Sequence, residues 1–401
     1  MNVLLVSTSE RSGGGAIAAR RLTDALNKNG VKAKLMVRDK QTDAVTVVKV
    51  GNKLPKFLER LAILPRCGLP KFQASGFRFQ VSHLWQADIA NVGINITGTR
   101  EFQEADIIHL HWVCQGMISL DEMGKILSSG KRIIWTLHDE WPYLGVCHYR
   151  GDCKEKECRR CPILCGSLPH KILKRKHEMY LRWHPTFVGC SQWITEQARQ
   201  AMPSERVEHI NKCVPSALFH PIDMQQARKA LSLPTDKRLL LFCSQKVTDE
   251  RKGILFLAEA LQKLPKDDLQ LIIVGKDSEQ IPLPNDIPAT RFGSVREEMM
   301  PQLYSAADVF LTPSLQDNLP NTIAEAMSCG TPCVGFDVGG IPEMIDHMKN
   351  GYVARYRDTA DLAEGIRYVL SHDLRQAAHN KAAAAYSETR VAQAYINLFS
   401  S

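Results

Sequence analysis

The sequence predicts an α/β protein of two doubly wound, Rossmann-like domains facing across a cleft, with a C-terminal helical segment. Three observations predict it. The chain opens on a strand, a glycine turn, a helix and a second strand, the start of a parallel sheet covered by helices. The same alternation restarts after Lys212–Pro221. The length of 401 residues, 44% of them hydrophobic, is enough to bury two substantial cores.

In the first half, Asn2–Ser7 reads as a buried strand, followed by the turn Ser12-Gly13-Gly14-Gly15. Ala18, Leu22, Ala25 and Leu26 recur at helical spacing from Ala16 to Asn29, and Gly30 stops that helix. Lys34–Arg38, Asp106–His111, Arg132–Leu137 and Thr186–Gly189 are the further short apolar strands. Residues 52–85 scatter Pro, Phe, Lys and Arg through the pattern and read as a surface insert of unassigned structure. In the second half, Arg238–Cys243, Leu269–Val274, Asp308–Thr312 and Thr331–Phe336 read as strands. Helices are expected near 253–264, 296–305, 321–328 and 358–371, and residues 373–401 are Ala-rich and helical. Pro215 and Pro221 bracket a loop. The expected domains are therefore 1–218, containing the insert and a Cys-rich loop at 147–165, then 219–380, then a terminal helix at 381–401.

The net charge of +8 is unevenly placed. Residues 1–220 hold 32 Lys+Arg against 20 Asp+Glu, a net +12, while residues 221–401 hold 19 against 23, a net −4. A basic half suits an anionic surface or a phosphorylated ligand. A 23% share of charged residues argues against a mostly disordered chain. No apolar run reaches the ~18 residues of a membrane span. The opening Met-Asn-Val-Leu-Leu-Val-Ser lacks a basic leader region, so the expectation is a cytoplasmic protein.

Two stretches carry chemistry. Ser12–Gly15 joins a strand to a helix, where glycine lets the backbone approach an anion at the helix N-terminus; a tight turn without a ligand is the alternative. The stretch Pro313–Pro332 runs strand, polar loop, helix, glycine stop, strand, with Asp317 in the loop and Glu325 in the helix. Carboxylates accept paired hydrogen bonds from vicinal hydroxyls, so the two suit a sugar and a ribose. The backbone of Asn318, Leu319, Pro320 and Asn321 leads into the helix start, where N–H groups can meet sugar hydroxyls. Lys246, Arg251 and Lys252 lie just past a strand end, as a diphosphate site requires.

Residues 308–343, ending Gly335-Phe-Asp-Val-Gly339-Gly340-Ile-Pro-Glu343, resemble the donor-binding region of retaining glycosyltransferases of family 4, the group-1 type with GT-B fold. That family carries two Glu separated by seven residues. Glu325 matches the second, which the resemblance makes a ligand of the nucleotide ribose; Asp317 takes the first position with a carboxylate one methylene shorter. The resemblance extends to the glycine turn, making Gly14 and Gly15 donor-binding, and to Lys252-Gly253. The family's Arg-x4-Lys diphosphate pair maps imperfectly: Lys252 matches its Lys, Lys246 stands one residue too far away in place of its Arg, and Arg251 can substitute. His138, in Thr136-Leu-His138-Asp139 after a strand, resembles the family His that contacts the donor sugar. His109 and His111 alternate with apolar residues and are expected on one face of their strand.

The resemblance implies transfer of a sugar from a nucleotide-diphosphate sugar to a saccharide or polyprenyl-linked acceptor, in surface or capsular polysaccharide synthesis. It assigns His138, Asp317, Lys252 and Arg251 to catalysis and requires no metal cofactor, because cationic side chains steady the diphosphate. Separately, Cys147, Cys153, Cys158 and Cys161 can close a structural zinc site, Cys158-x2-Cys161 being its knuckle; free or paired cysteines are the alternative. The cationic, apolar insert 52–85 can rest on the inner face of an anionic membrane or pack as a helix on the first domain. Two rivals remain: a nucleotide-sugar epimerase of related fold, and a zinc-containing nucleic-acid-binding protein. The second is disfavoured because aromatic and basic residues are not interleaved as a stacking platform needs.

Overall fold

The computed structural model describes residues 1–63, 87–265, 268–281 and 287–401. These form two compact units, one made of Met1–Ile210 with Ala392–Ser401, the other of Asn211–Val391. The division falls at 210/211, ahead of the prolines that bracket the loop.

In the first unit, strands β1 (Asn2–Ser9), β2 (Lys32–Asp39), β3 (Val47–Lys49), β4 (Ile107–Leu110), β5 (Arg132–Leu137), β6 (Thr186–Gly189) and β7 (Val207–His209) form one sheet. Its order is β3-β2-β1-β4-β5-β6-β7, and every pairing is parallel. The second unit has β8 (Arg238–Lys246), β9 (Leu269–Lys276), β10 (Ala289–Phe292), β11 (Val309–Thr312), β12 (Cys333–Phe336) and β13 (Gly351–Ala354). Their order is β10-β9-β8-β11-β12-β13, again parallel throughout.

Central strands are buried on both faces and so read as unbroken apolar runs. Leu4, Val6, Leu110, Trp135 and Phe187 sit in the first core, and Leu240, Phe242, Leu271, Leu311 and Val334 in the second. The strands missed by that reading are β3, β7, β10 and β13, the four sheet edges. They are only three or four residues long and partly exposed, so no continuous apolar run marks them.

In each unit the strand order reverses once, between β1 and β4 and between β8 and β11. Ligands of open α/β sheets bind outside the carboxyl ends of the strands flanking such a reversal. The segments that follow these four strands hold His111, Lys252 and Asp317, and Gly14 and Gly15, which form the first turn of the helix Gly14–Lys28 and not, as expected, part of the turn before it.

The insert begins with a helix, Leu54–Ile63; residues 64–86, the rest of the segment read as a surface excursion, lie outside the described residues. The C-terminal segment is helical but is not one helix over 381–401. It comprises Arg375–Tyr386 and Glu388–Ser400, and its last residues belong to the first unit. Among the described residues, no helix is long and apolar enough to cross a membrane.

Candidate functional site

In the second unit the loops after β8 and β11 are tied to each other. Leu315 N–H donates to the Arg251 carbonyl at 2.7 Å, and the Lys252 ammonium donates to the Asp317 carboxylate. Burial alone would raise the Asp317 carboxyl, but Lys252, then Lys212 and Arg251, hold it below its ordinary value. Lys212, which the sequence offers only as part of a linker, also donates to the Leu319 carbonyl. The loop is closed from below by Gly340 N–H donating to the Asn318 carbonyl at 2.7 Å.

Gly339 has φ +58°, and a Cβ there would lie 1.7 Å from the Asp317 carbonyl oxygen. Only glycine combines that conformation with so close an approach. Gly339→Ala is therefore expected to displace the Asp317 loop, costing about 1–3 kcal/mol of stability. Chemical denaturation of the two proteins checks this; equal midpoints would show that the loop accommodates the methyl group.

The helix Asn321–Ser328 follows the loop and buries Glu325. Tyr304 O–H donates to Glu325 Oε2 at 2.8 Å, and the same hydroxyl lies 3.6 Å from the Cys243 sulfur. Tyr304 is fully buried and orients the carboxylate. Sequence reasoning missed it, because nothing in the helix Met300–Ala306 distinguishes a carboxylate partner from a core aromatic. Its only signal is a hydroxyl on a side chain at an apolar position.

Lys246 is the last residue of β8 and not past its end, and the three cations do not converge. Lys252 reaches Asp317. The Arg251 guanidinium pairs with Asp249 at 2.6 Å, and the exposed Lys246 ammonium stands 4.0 Å from Asp277. The cations around Asp317 are thus Lys252, Lys212 and Arg251, with Lys246 outside the group.

In the first unit, His138 follows β5 and is half-buried. A Cβ on Gly15 would lie 3.1 Å from the His138 ring and 3.2 Å from the Trp112 Cβ, so the glycine turn lies directly against the imidazole. His138 Nε2 and His111 Nδ1 are 2.9 Å apart. His109 and His111 do share a face, with ring centroids 4.3 Å apart. His109 Nε2 is 2.8 Å from Thr136 Oγ1, which lies 2.9 Å from the Tyr395 hydroxyl. Burial holds both His109 and His111 below the ordinary histidine value, His111 at about 3, so they act as neutral hydrogen-bonding groups.

The loop carrying His138 is braced by residues that sequence reasoning did not single out. Asp139 accepts from Trp112 Nε1 at 2.7 Å and lies 2.8 Å from His148 Nδ1. The described cysteines are all free thiols. Cys147, Cys153, Cys158 and Cys161 lie in the stretch after this loop, while Cys165 is exposed.

Residues 237–372 match the family described as Glycosyl transferases group 1. An uncharacterised glycosyltransferase of Methanocaldococcus jannaschii is 26% identical over 324 residues, covering 71% of this chain and 80% of that one. N-acetyl-alpha-D-glucosaminyl L-malate synthase of Bacillus anthracis is 26% identical over 280 residues, covering 68% and 67%. Among solved structures, sucrose-phosphate synthase of Thermosynechococcus elongatus aligns with TM-score 0.68 at 18% identity, over 100% of this chain and 99% of that one. Anabaena HepE in complex with UDP-glucose aligns with TM-score 0.66 at 16% identity and the same coverage. Two parallel-sheet Rossmann-like units with these relatives define a glycosyltransferase of GT-B fold. Within that class, the second unit contains the stretch that matches the group-1 glycosyl transferases.

Proposed function

We propose that this glycosyltransferase is a family 4 enzyme that takes a nucleotide-diphosphate sugar and transfers the sugar, with retention of anomeric configuration, to a saccharide or polyprenyl-linked acceptor in surface or capsular polysaccharide synthesis. The observation that carries the reading is the Lys252–Asp317 pair at the strand-order reversal of the second unit, with Glu325 on the next helix. Support also comes from HepE, whose structures hold UDP-glucose and UDP.

In this reading the second unit holds the donor. Glu325, steadied by Tyr304, accepts the ribose hydroxyls, and Asp317 and the Asn318–Asn321 backbone accept and donate to the sugar hydroxyls. Lys252, Arg251 and Lys246 stabilise negative charge developing on the leaving diphosphate, the electrostatic role such a reaction asks of cations. Among them Lys252 sits deepest. Arg251 must share its guanidinium with Asp249, and Lys246 reaches the phosphates only by leaving Asp277. In the first unit, expected to take the acceptor, Gly14 and Gly15, which the resemblance makes donor-binding, lie against His138, the residue assigned to contact the donor sugar. Asp317 is held by an ammonium and orients hydroxyls; the departing phosphate takes the acceptor proton on the same face. These cations stand where a metal cofactor would otherwise be needed.

A thermal-shift screen across nucleotide sugars tests the donor, since a ligand that binds the folded state raises its apparent stability. Proton NMR of the product then reads the anomer. Retention is expected; an inverted product would sink the same-face mechanism. Conversion of the donor without any acceptor would instead identify an epimerase.

The proposed location is the cytoplasmic face of a membrane. The helix Leu54–Ile63 is pinned by buried Glu59, whose carboxyl accepts from Ile89 N–H at 3.0 Å and Ala90 N–H at 2.7 Å. The other side exposes Leu54, Phe57, Leu58 and Leu61, each 42–60% accessible, with the exposed Lys53 just ahead of it, while Lys56 and Arg60 turn inward and line a cavity with Glu59 and Asp88. An exposed apolar stripe with a cation at its start suits the surface of an anionic leaflet. Phe57→Glu/Leu61→Glu is expected to lower co-sedimentation with phosphatidylglycerol vesicles at least tenfold while leaving transfer to a water-soluble acceptor unchanged. Equal sedimentation would place the contact elsewhere.

A further inference from the structure

We infer that Cys243 is a positioning residue for Glu325: its S–H donates to the Tyr304 hydroxyl, which in turn donates to the Glu325 carboxylate. A strand and a neighbouring helix thereby fix one orientation of the group assigned to the nucleotide ribose. The inference deepens the donor reading above, and its kinetic consequence rests on that reading.

The three side chains come from three elements of the second unit. Cys243 lies in β8, the strand that leads to Arg251 and Lys252, and is paired with Val274 of β9. Tyr304 lies in the helix Met300–Ala306, and Glu325 in the helix Asn321–Ser328. The Tyr304 oxygen is 2.8 Å from Glu325 Oε2 and 3.6 Å from the Cys243 sulfur, the longer contact reflecting the larger atom. The rest of Tyr304 is fixed. Its ring packs edge-on against Phe310 with centroids 5.6 Å apart and lies 6.3 Å from that of Phe219. Its carbonyl accepts from Thr331 Oγ1 at 2.6 Å. What remains to be set is the direction of the hydroxyl hydrogen.

Counting hydrogens sets it. A phenol has one hydrogen to give, and a carboxylate only accepts. The Tyr304 hydrogen is therefore committed to Glu325, and the oxygen meets Cys243 through a lone pair. The S–H is then the donor of that contact. Burial keeps both hydrogens in place: it pushes the Cys243 thiol up to about 12 and Tyr304 well above its ordinary value. The chain runs in one sense, sulfur to phenol to carboxylate, and each bond polarises the next. A thiol is a weak donor, yet it decides which way the phenol points. A hydroxyl hydrogen rotates to suit its surroundings, and a donor on the sulfur side leaves it the carboxylate side. With a methyl group in place of the thiol, the hydroxyl is no longer held from behind, and Glu325 loses part of its preset orientation.

The first test reads the thiol directly. An S–H stretching band lies in an infrared window clear of other protein bands, and it moves to lower frequency when the thiol donates. Spectra of the full chain minus Cys243→Ala isolate the Cys243 band, and spectra of Tyr304→Phe minus Tyr304→Phe/Cys243→Ala isolate it without the phenol oxygen. A hydrogen-bonded band is expected in the first difference and a shift to higher frequency in the second. A band at the unbonded frequency in the first, or at one position in both, overturns the proposal. The second test is kinetic and uses the nucleotide sugar that gives the largest shift in the thermal screen. Cys243→Ala should raise its KM about 3- to 10-fold with kcat little changed, the scale of one hydrogen bond in a network. Cys243→Ser, which keeps a donor, should lie closer to wild type. A KM unchanged in Cys243→Ala but raised in Glu325→Gln overturns the positioning role. A KM unchanged in both, with the hydrogen-bonded band present, counts against Glu325 as a donor ligand and leaves the hydrogen-bond chain standing.

Discussion

Replacing Glu325 by Gln is expected to lower kcat/KM for the nucleotide sugar by about 100-fold or more, with little change in thermal midpoint. The amide keeps an oxygen that accepts the Tyr304 hydroxyl at the 2.8 Å position, so the helix and its burial survive. What is lost is the charge and one of two acceptors for the vicinal hydroxyls. Hydrogen bonds to a charged group contribute about 1.5–3 kcal/mol each, and 1.4 kcal/mol is a factor of ten. Glu325→Ala should remove transfer further and also strand the buried Tyr304 hydroxyl, adding a stability loss of about 1–3 kcal/mol. Tyr304→Phe serves as the control, keeping the carboxylate while removing the hydroxyl that orients it, and a smaller loss of activity is expected. Unchanged steady-state kinetics in Glu325→Gln would remove this carboxylate from the donor site.

The second large effect is expected at Lys252. Lys252→Ala removes the ammonium that pairs with Asp317, whose side chain is 12% exposed. Breaking a buried pair from one side leaves an uncompensated charge; with the lysine itself 29% exposed, a loss of about 1–3 kcal/mol is expected rather than the full cost of a dry pair. Transfer should fall by about 100- to 1,000-fold, the scale of losing one group that stabilises developing negative charge. The two effects separate in the double variant Lys252→Ala/Asp317→Asn, which should recover stability and remain inactive. They also separate with pH. Asp317 is held below its ordinary value of 3.8, so the pair's contribution is present above that value and lost as pH falls through the lower folded one. Without Lys252 the buried carboxyl shifts upward, and acidification relieves its penalty. The stability gap between wild type and Lys252→Ala should therefore narrow toward pH 4, as urea midpoints across that range would show. A gap constant with pH would mean that the pair is not electrostatic in origin.

The parts of this molecule legible in the sequence are those where local chemistry leaves a local mark. Buried central strands such as Leu239–Phe242 write an apolar run, the glycine turn marks the first βα junction, and the polar loop around Asp317 precedes a helix that ends at Gly330. The alternation of His109 and His111 reports a shared face because side chains repeat every second residue along a strand. Contacts made across the sequence write nothing local. Lys212 meets Leu319 from 107 residues away, and Tyr304 meets Glu325 from 21. Neither partner has a spacing that betrays it. The spread of Lys246, Arg251 and Lys252 was equally hidden, since which carboxylate each cation finds depends on Asp249, Asp277 and Asp317 lying on different loops. The division at 210/211 escaped the proline reading because the chain beyond it is already hydrogen-bonded into the second unit, with Val214 N–H on the Tyr386 carbonyl at 2.9 Å.

The return of residues 392–401 to the first unit bears on how the protein is made. Tyr395 supplies the hydroxyl beside Thr136, and the Leu398 carbonyl accepts from the Arg132 guanidinium at 2.7 Å. The ribosome delivers these partners after the whole second unit, so the sheet of the first unit emerges first yet waits for residues 392–401 before its histidine side is sealed. Synthesis thus runs in one direction while completion runs in the other, and a nascent chain stalled after Val391 would carry one finished unit and one still open.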